Sequence, residues 1–167
     1  MARVLVLYDG RGLTQELARA VLQGVRAVDG AEPIDRPLDQ AQTTDLLACD
    51  ALILGSPNWS GITGKLKGWL DHSGDLWESG DLAGKVGACF TAGWSRSGGS
   101  EATLLQLIHL LMAHGLVIVG LPWSEAMRES GSYYGATGHG QITELDRQQA
   151  RALGARVARV TLRLSPD

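Results

Sequence analysis

The chain has 167 residues and a formal net charge of −3, with 44% hydrophobic and 20% charged residues. This composition is typical of a globular protein and excludes disordered and fibrous classes, so we take residues 1–167 as one domain. The slight negative charge provides no basic surface for nucleic acid. The longest apolar run, residues 116–121, is too short to span a membrane, and the N-terminus enters a strand without a secretory pattern. We therefore expect a cytoplasmic protein with no nucleic-acid or membrane partner.

The first predicted elements are a strand, a glycine-rich turn and a helix. Apolar residues 4–8 form the strand, residues 9–14 (DGRGLT) form the turn, and Leu17, Val21 and Val25 form the buried face of the helix. Such a turn brings free backbone N–H groups together with the positive end of a helix dipole, and this favours phosphate. Short turns between a strand and a helix also use glycine for geometry alone, so the motif does not by itself establish a ligand site.

Four more predicted strands, three of them apolar runs, alternate with amphipathic or polar segments along the rest of the chain. Pro33 confines the second strand to a sheet edge, because proline cannot donate a hydrogen bond to a neighbouring strand. Thr43 or Thr44 is expected to cap a short helix, and Thr143 with Asp146 forms a capping box before the last helix. Strands are predicted over residues 31–36, 51–55, 86–91 and 116–121, helices over 45–48, 65–70, 104–112 and from 143 onward, and loops over 74–84 and 122–140. The buried face of the helix over 104–112 is assigned to Leu104, Leu105, Ile108, Leu111 and Met112.

Alternating strands and helices predict right-handed crossovers and a parallel sheet covered on both faces, which is the doubly wound α/β class. Five strands fit the flavodoxin-like order 2-1-3-4-5, in which ligands lie beyond the carboxyl ends of the strands, beside strands 1 and 3. The loops after strands 1, 3 and 4 cover residues 9–14, 56–61 and 92–100, and all three fall at that edge. Trp59 and Trp94 either anchor these loops by packing or contact a ligand that carries a phosphate and a flat ring system.

At these residues the chain resembles the flavodoxin-like superfamily, and most closely the WrbA-type family of NAD(P)H:quinone oxidoreductases, which bind FMN. The segments that carry the resemblance span nearly the whole chain: ARVLVLY, ALILGSPNWSG followed by GKLKGWLDHSGDLWESGDLAGK, MAHGLVIVGLPW, and YGATG. The resemblance implies an FMN-binding flavoprotein that accepts a hydride from NAD(P)H and passes electrons to a quinone-type acceptor. The flavin does the chemistry in such proteins, so no side chain is assigned a catalytic role, and no metal is expected.

The resemblance also implies which residues hold the cofactor. The loop after strand 1 would bind the FMN phosphate, and the loops after strands 3 and 4 would bind the ring. Trp77 matches an aromatic residue that covers the flavin of a neighbouring subunit, although packing of its own segment explains it equally well. His114 matches a histidine at the edge where quinones and nicotinamides enter, although a bond to a nearby carbonyl also explains it. The expected cofactor-binding residues are Asp9, Gly10, Arg11, Gly12, Leu13, Thr14, Pro57, Asn58, Trp59, Ser60, Gly61, Thr91, Ala92, Gly93, Trp94, Trp77 and His114.

Asp9 is the main departure from the family pattern, because phosphate loops of this superfamily usually begin with a hydroxyl residue. A carboxylate about 4 Å from a phosphate charge costs roughly 4 kcal/mol per charge pair at an effective dielectric of about 20. Arg11 in the same loop can pair with the phosphate, with Asp9 or with both. We therefore predict that Asp9→Ser tightens FMN binding, and an unchanged or weaker affinity would mean that the carboxylate is already neutralised or structural.

Two alternatives to the enzyme remain open from the sequence. One is a flavodoxin-type electron carrier without nicotinamide activity, and the other is a non-catalytic binding module that has lost FMN because of Asp9. Trp59-Ser60 also replaces the basic and aromatic pair of the family, which bears on how the ring is stacked. The connections between strands 2 and 3 and around Gly140 look shorter than in the family, so a homodimer and a homotetramer both remain open.

Overall fold

Six parallel strands form the centre of the computed structural model, which describes residues Met1–Ser165. No helix in this part of the chain is long and apolar enough to cross a membrane. The strands are β1 (Ala2–Tyr8), β2 (Ala31–Pro37), β3 (Ala51–Pro57), β4 (Val86–Gly93), β5 (Val117–Ile118) and β6 (Ala136–His139). The helices are α1 (Leu13–Arg26), α2 (Thr43–Ala48), α3 (Gly64–Asp71), α4 (Gly74–Ser79), α5 (Ser100–Ala113) and α6 (Glu144–Leu164), with short 3-10 turns at Leu38–Gln40 and Glu125–Arg128.

The strand order is β2-β1-β3-β4-β5, which confirms the predicted flavodoxin-like order and leaves the proline-containing β2 at an edge. Successive side chains of β1 point to opposite faces of the sheet and so enter two separate cores. Val4 and Val6 pack with residues of α1 and α6, whereas Leu5 and Leu7 pack with residues of α3 and α5. Both faces are therefore covered, and the carboxyl ends of the strands share one edge.

The fifth predicted strand is much shorter than residues 116–121, and a sixth strand lies in the predicted loop 122–140. Only Val117 and Ile118 pair with the start of β4, and β6 pairs with its second half. The backbone of Tyr133 passes so close to Gly120 that a Cβ there would overlap its carbonyl oxygen. The apolar run thus leaves β4 at that point. An apolar pattern indicates burial, but it does not distinguish a strand that pairs with its neighbour from a buried segment that leaves the sheet.

Three local predictions are also wrong. Gln42 takes the N-cap position of α2 instead of Thr43 or Thr44, and its N–H donates to Asp45 Oδ2 at 2.9 Å. The predicted loop 74–84 contains α4. On α5, Leu105 and Met112 are 46% and 61% exposed rather than buried, because this helix is apolar on more than the face that meets the sheet. An apolar helix surface left outside the core is typical of a contact between chains.

Candidate functional site

The turn between β1 and α1 presents a row of free backbone N–H groups at the carboxyl edge of the sheet. Gly10 and Gly12 have φ angles of 94° and 59°, which reverse the chain between strand and helix. Gly12 is the N-cap of α1, and no side chain caps this helix. Within Met1–Ser165, the N–H groups of residues 11–15 have no hydrogen-bond acceptor. Together with the positive end of the helix dipole they form a cradle suited to a phosphate.

Asp9 is held by three groups of the protein. Its carboxylate accepts hydrogen bonds from the Gly10 N–H at 2.9 Å and from Thr63 Oγ1 at 2.6 Å. Lys65 Nζ lies 3.8 Å from its Oδ1. Thr63 also caps α3, since its Oγ1 accepts from the Leu66 N–H at 3.1 Å. Asp9 therefore ties the phosphate loop to the N-terminus of α3.

The charge of Asp9 is compensated by these neighbours. The Lys65 ammonium and the positive end of α3 offset much of the repulsion that a free carboxylate would exert on a phosphate. This revises the expectation from the sequence: Asp9→Ser should give no gain in FMN affinity, because the carboxylate already has partners. Arg11 makes no ion pair within the described chain, so its guanidinium is available to a phosphate.

Asn58 fastens the loop after β3 to its surroundings. Its N–H donates to Ala92 O at 2.7 Å, and its Nδ2 donates to Gly98 O at 2.6 Å in the loop after β4. Its Oδ1 accepts from Thr103 Oγ1 of α5 at 2.8 Å. The amide is thus used within the protein, and it links the loop after β3 to the loop after β4 and to α5.

Trp59 and Trp94 line a cleft between these loops and the phosphate loop, and the two residues are 74% and 81% exposed. Trp59 sits in a tight turn, where its N–H donates to Gly61 O at 2.8 Å and Ser60 has a φ of 56°. Indoles that contribute so little to the core are available to stack on a flat ring. Their exposure favours ligand contact over the packing alternative.

The cleft has a volume of about 660 Å³, within the usual range of small-molecule sites. Its lining includes most of the residues predicted from the three loops: Arg11, Gly12, Leu13, Thr14, Pro57, Asn58, Trp59, Ala92, Gly93 and Trp94. The remaining predicted loop residues belong to the same loops without lining the cleft: Asp9, Gly10, Ser60, Gly61 and Thr91. Thr91 is fully buried, and its Oγ1 donates to Ser56 O at 2.8 Å.

Four further residues line the cleft without having been predicted. Gln15, Glu16 and Arg19 continue along the first turns of α1, and their helical spacing after the glycine turn is a signal that could have found them. Gly140 follows β6, which the sequence pattern does not reveal.

Trp77 and His114 do not line this cleft. The helix α5 begins at the carboxyl edge of the sheet and ends at the opposite edge, where Gly115 O accepts from the Gly84 N–H at 3.0 Å just before β4. His114 is the C-cap of α5, and its Nε2 lies 3.3 Å from Ser73 Oγ, directly before the helix that carries Trp77. The two residues share one region near the amino edge, away from the cleft of the same chain.

His114 is half-buried and has one enclosed ring nitrogen. Ser73 Oγ donates to Leu70 O at 2.6 Å, so it accepts from the ring and places the proton of the neutral imidazole on Nε2. Nδ1 has no partner within the described residues. Burial lowers the pKa of His114 below its ordinary value.

Acidification from pH 7.5 to 5.5 is expected to lower the Tm, in part through His114. Its folded-state pKa lies below its unfolded value of about 6.5, so its contribution to stability is complete above that pH and is lost as the pH falls through the folded-state pKa. The Tm of His114→Asn should depend less on pH than the Tm of the wild type. Some pH dependence should remain, because burial lowers the pKa of His139 as well. Thermal unfolding at several pH values measures this, and His109→Asn on the exposed side of α5 is the control. Identical pH dependence in His114→Asn and wild type would contradict the assignment.

Comparison with known proteins shows which family the chain resembles. Residues 27–127 match the family described as NADPH-dependent FMN reductase. A protein called NAD(P)H dehydrogenase (quinone) from Archaeoglobus fulgidus is 37% identical over 190 residues, covering 98% of this chain and 100% of the relative. A protein of the same name from Sinorhizobium fredii is 34% identical over 199 residues, covering 99% of this chain and 100% of the relative.

Solved structures have the same fold. The crystal structure of a WrbA-like flavodoxin protein from Agrobacterium tumefaciens is similar with a TM-score of 0.80 and 26% identity, covering 99% of this chain and 100% of that one. A flavodoxin from the domain Archaea has a TM-score of 0.75 at 17% identity, covering 96% and 99% of the two chains, and at that identity it supports the fold alone. The predicted flavodoxin-like fold is confirmed.

Proposed function

The chain belongs to the NADPH-dependent FMN reductase family, and on that premise we propose that its cleft binds FMN and that it passes electrons from NAD(P)H to a quinone-type acceptor. The observation that carries the proposal is the cradle of free N–H groups at residues 11–15, which opens onto a cleft with two exposed indoles. The relatives called NAD(P)H dehydrogenase (quinone) support this pair of substrates.

The FMN phosphate fits the loop between β1 and α1. The free N–H groups of residues 11–15 would donate to its oxygens, and the Arg11 guanidinium would add charge-assisted bonds. The nearby carboxylate of Glu16 pairs with Arg147 of α6, so its negative charge is compensated. The loop thus offers donors and positive charge where a dianionic group needs them.

The flavin ring fits the part of the cleft between the loops after β3 and β4. Pro57 and Gly93 line this part of the cleft without large side chains, and Trp59 and Trp94 provide indole faces for stacking. The Asn58 bonds hold these loops in place before a ligand arrives. Loops that are already held in place lose less conformational entropy when the ligand binds.

Bound FMN supplies hydride acceptance and the onward transfer of electrons. The residues of this chain bind the phosphate, orient the ring and leave an opening through which nicotinamide and acceptor can reach it. The titratable side chains that line the cleft are Arg11, Glu16 and Arg19, and Glu16 is already paired. No side chain is therefore assigned the role of acid or base.

Trp77 and His114 would act on the flavin of a neighbouring subunit, because they lie away from the cleft of their own chain. The exposed apolar side chains of α5, including Leu105 and Met112, supply a surface for such an assembly. A homodimer or homotetramer would meet this requirement. Sedimentation at several protein concentrations measures the oligomeric state.

Arg11→Met is expected to weaken FMN binding about tenfold or more, because it removes a charge-assisted bond to the phosphate. Flavin absorbance and fluorescence during titration of the purified protein give the affinity. Arg26→Met, at the end of α1 and away from the cleft, is the matched control and should bind FMN like the wild type.

The same preparation tests the activity. Without oxygen or another acceptor, wild-type protein loaded with FMN should oxidise at most one equivalent of NADH or NADPH, and repeated turnover should require a quinone in excess. A colourless protein whose melting temperature does not respond to FMN would contradict the proposal and favour the alternative of a non-catalytic binding module. Flavin that binds without consumption of NADH or NADPH would identify an electron carrier instead.

A further inference from the structure

A second cleft lies on the other side of the phosphate loop, above the carboxyl ends of β1 and β2. Its volume is about 470 Å³. Arg11 and Gln15 line both this cleft and the larger one, so the loop is a wall that the two share. The FMN site proposed above does not use this space.

Asp39 gives the second cleft a free carboxylate. It is exposed on the 3-10 turn Leu38–Gln40, directly after β2. Within the described residues the Asp39 side chain makes no hydrogen bond or ion pair, whereas Asp9, the other acid lining this cleft, is held by Thr63 and Lys65. Asp39 is therefore the carboxylate of this cleft that is available to accept bonds from a ligand.

The sheet places this carboxylate in a defined relation to the phosphate loop. Pro37 pairs with Tyr8 at the ends of the adjacent strands β2 and β1, so Asp39 lies just beyond the strand that neighbours the loop. In doubly wound sheets that bind dinucleotides, an acidic residue beyond the glycine turn accepts a bond from a ribose 2′-OH, while the phosphates lie at the helix N-terminus. An acidic residue and the glycine turn likewise line one cleft here.

Two cations line the same cleft. Arg11 makes no ion pair within the described chain, and the Lys65 ammonium contacts Asp9 from an exposed position at the start of α3. Both can approach an anionic group that lies between the phosphate loop and Asp39. The cleft therefore offers two cations and a free carboxylate that can accept hydrogen bonds.

We propose that this second cleft binds the adenylate part of a dinucleotide. The ribose hydroxyls donate to Asp39, and the 5′-phosphate lies against Arg11 and Lys65. The proposal rests on the proposed function, because the flavin or nicotinamide half of the dinucleotide occupies the larger cleft. Two dinucleotides carry this group with both ribose hydroxyls free, namely FAD bound in place of FMN, and NADH; the 2′-phosphate of NADPH would be repelled by the Asp39 carboxylate.

Direct titration with AMP tests the site, with calorimetry on the full chain. We expect AMP to bind the wild type and Asp39→Ala to weaken that binding about tenfold or more, since a bond to a charged acceptor is lost. Asp29→Ala, an exposed acid at the turn after α1, is the matched control and should bind AMP like the wild type. Absence of AMP binding, or equal affinity in all three proteins, overturns the proposal. This readout needs neither flavin nor activity, so it stands even if the proposed function fails.

Two further arms distinguish the sources of the adenylate group. If FAD is the ligand, it should bind the wild type more tightly than FMN does, and Asp39→Ala should remove the difference while leaving FMN affinity unchanged. If NADH is the ligand, Asp39→Ala should raise its KM in the FMN-loaded protein at unchanged FMN affinity. AMP binding with no response in either arm would overturn the assignment to a dinucleotide.

Discussion

Gly12→Ala should lower FMN affinity roughly 5- to 150-fold, the equivalent of about 1–3 kcal/mol of backbone strain. Gly12 has φ 59° and ψ −121°, a combination that residues with a Cβ strongly disfavour. A Cβ at this position would meet no atom within 4 Å, so the effect comes from the backbone and not from a collision. The loop would relax toward an allowed conformation and turn the N–H groups of residues 11–15 away from the phosphate.

Gly68→Ala is the control for this experiment. Gly68 lies inside α3, and a Cβ there also meets nothing within 4 Å. Alanine at that position should leave FMN affinity unchanged and stabilise the helix by about 1 kcal/mol. Flavin titration gives the two affinities, and thermal unfolding without flavin separates binding from folding. An unchanged affinity in Gly12→Ala would mean that the loop conformation does not determine phosphate binding.

Gly154→Ala should lower the Tm by roughly 4–12 °C, from about 2–3 kcal/mol of overpacking in a chain of this size. Gly154 of α6 lies against α1, where a Cβ would overlap the carbonyl oxygen of Val21. Gly24 of α1 has the reciprocal position, and a Cβ there would overlap the carbonyl oxygen of Arg151. Because backbone meets backbone at this crossing, no side chain can move aside, and the two helices must separate.

The two glycines at the helix crossing can be tested against each other. Gly24→Ala should destabilise the protein by a similar amount, and the double variant should cost less than the sum, because one displacement of the helices relieves both overlaps. Since α1 carries the phosphate loop at its N-terminus, FMN affinity should fall as well. Chemical denaturation gives the free energies of unfolding. A Gly154→Ala protein as stable as the wild type would show that the helices are not in backbone contact.

The sequence by itself determined the fold class and the edge of the sheet that carries the site. Local patterns suffice for this, because apolar runs such as residues 51–55 report burial on both faces, and Pro33 marks an edge strand. The capping box of Thr143 and Asp146 is equally local, and it begins α6 as predicted. The glycine turn at residues 9–14 also indicates the phosphate cradle, since Gly10 and Gly12 take the positive φ angles that glycine favours.

The tertiary structure decided which distant groups meet. The partners of Asp9 include Thr63 and Lys65, more than fifty positions further along the chain, and no local pattern records that approach. The short β5, the added β6 and the glycine contacts between α1 and α6 depend on how segments pass one another in space. Buried residues recur along the sequence with the period of a helix or a strand, so a local pattern predicts them. Contacts between distant segments depend on strand register and helix packing, and only the assembled tertiary structure defines these.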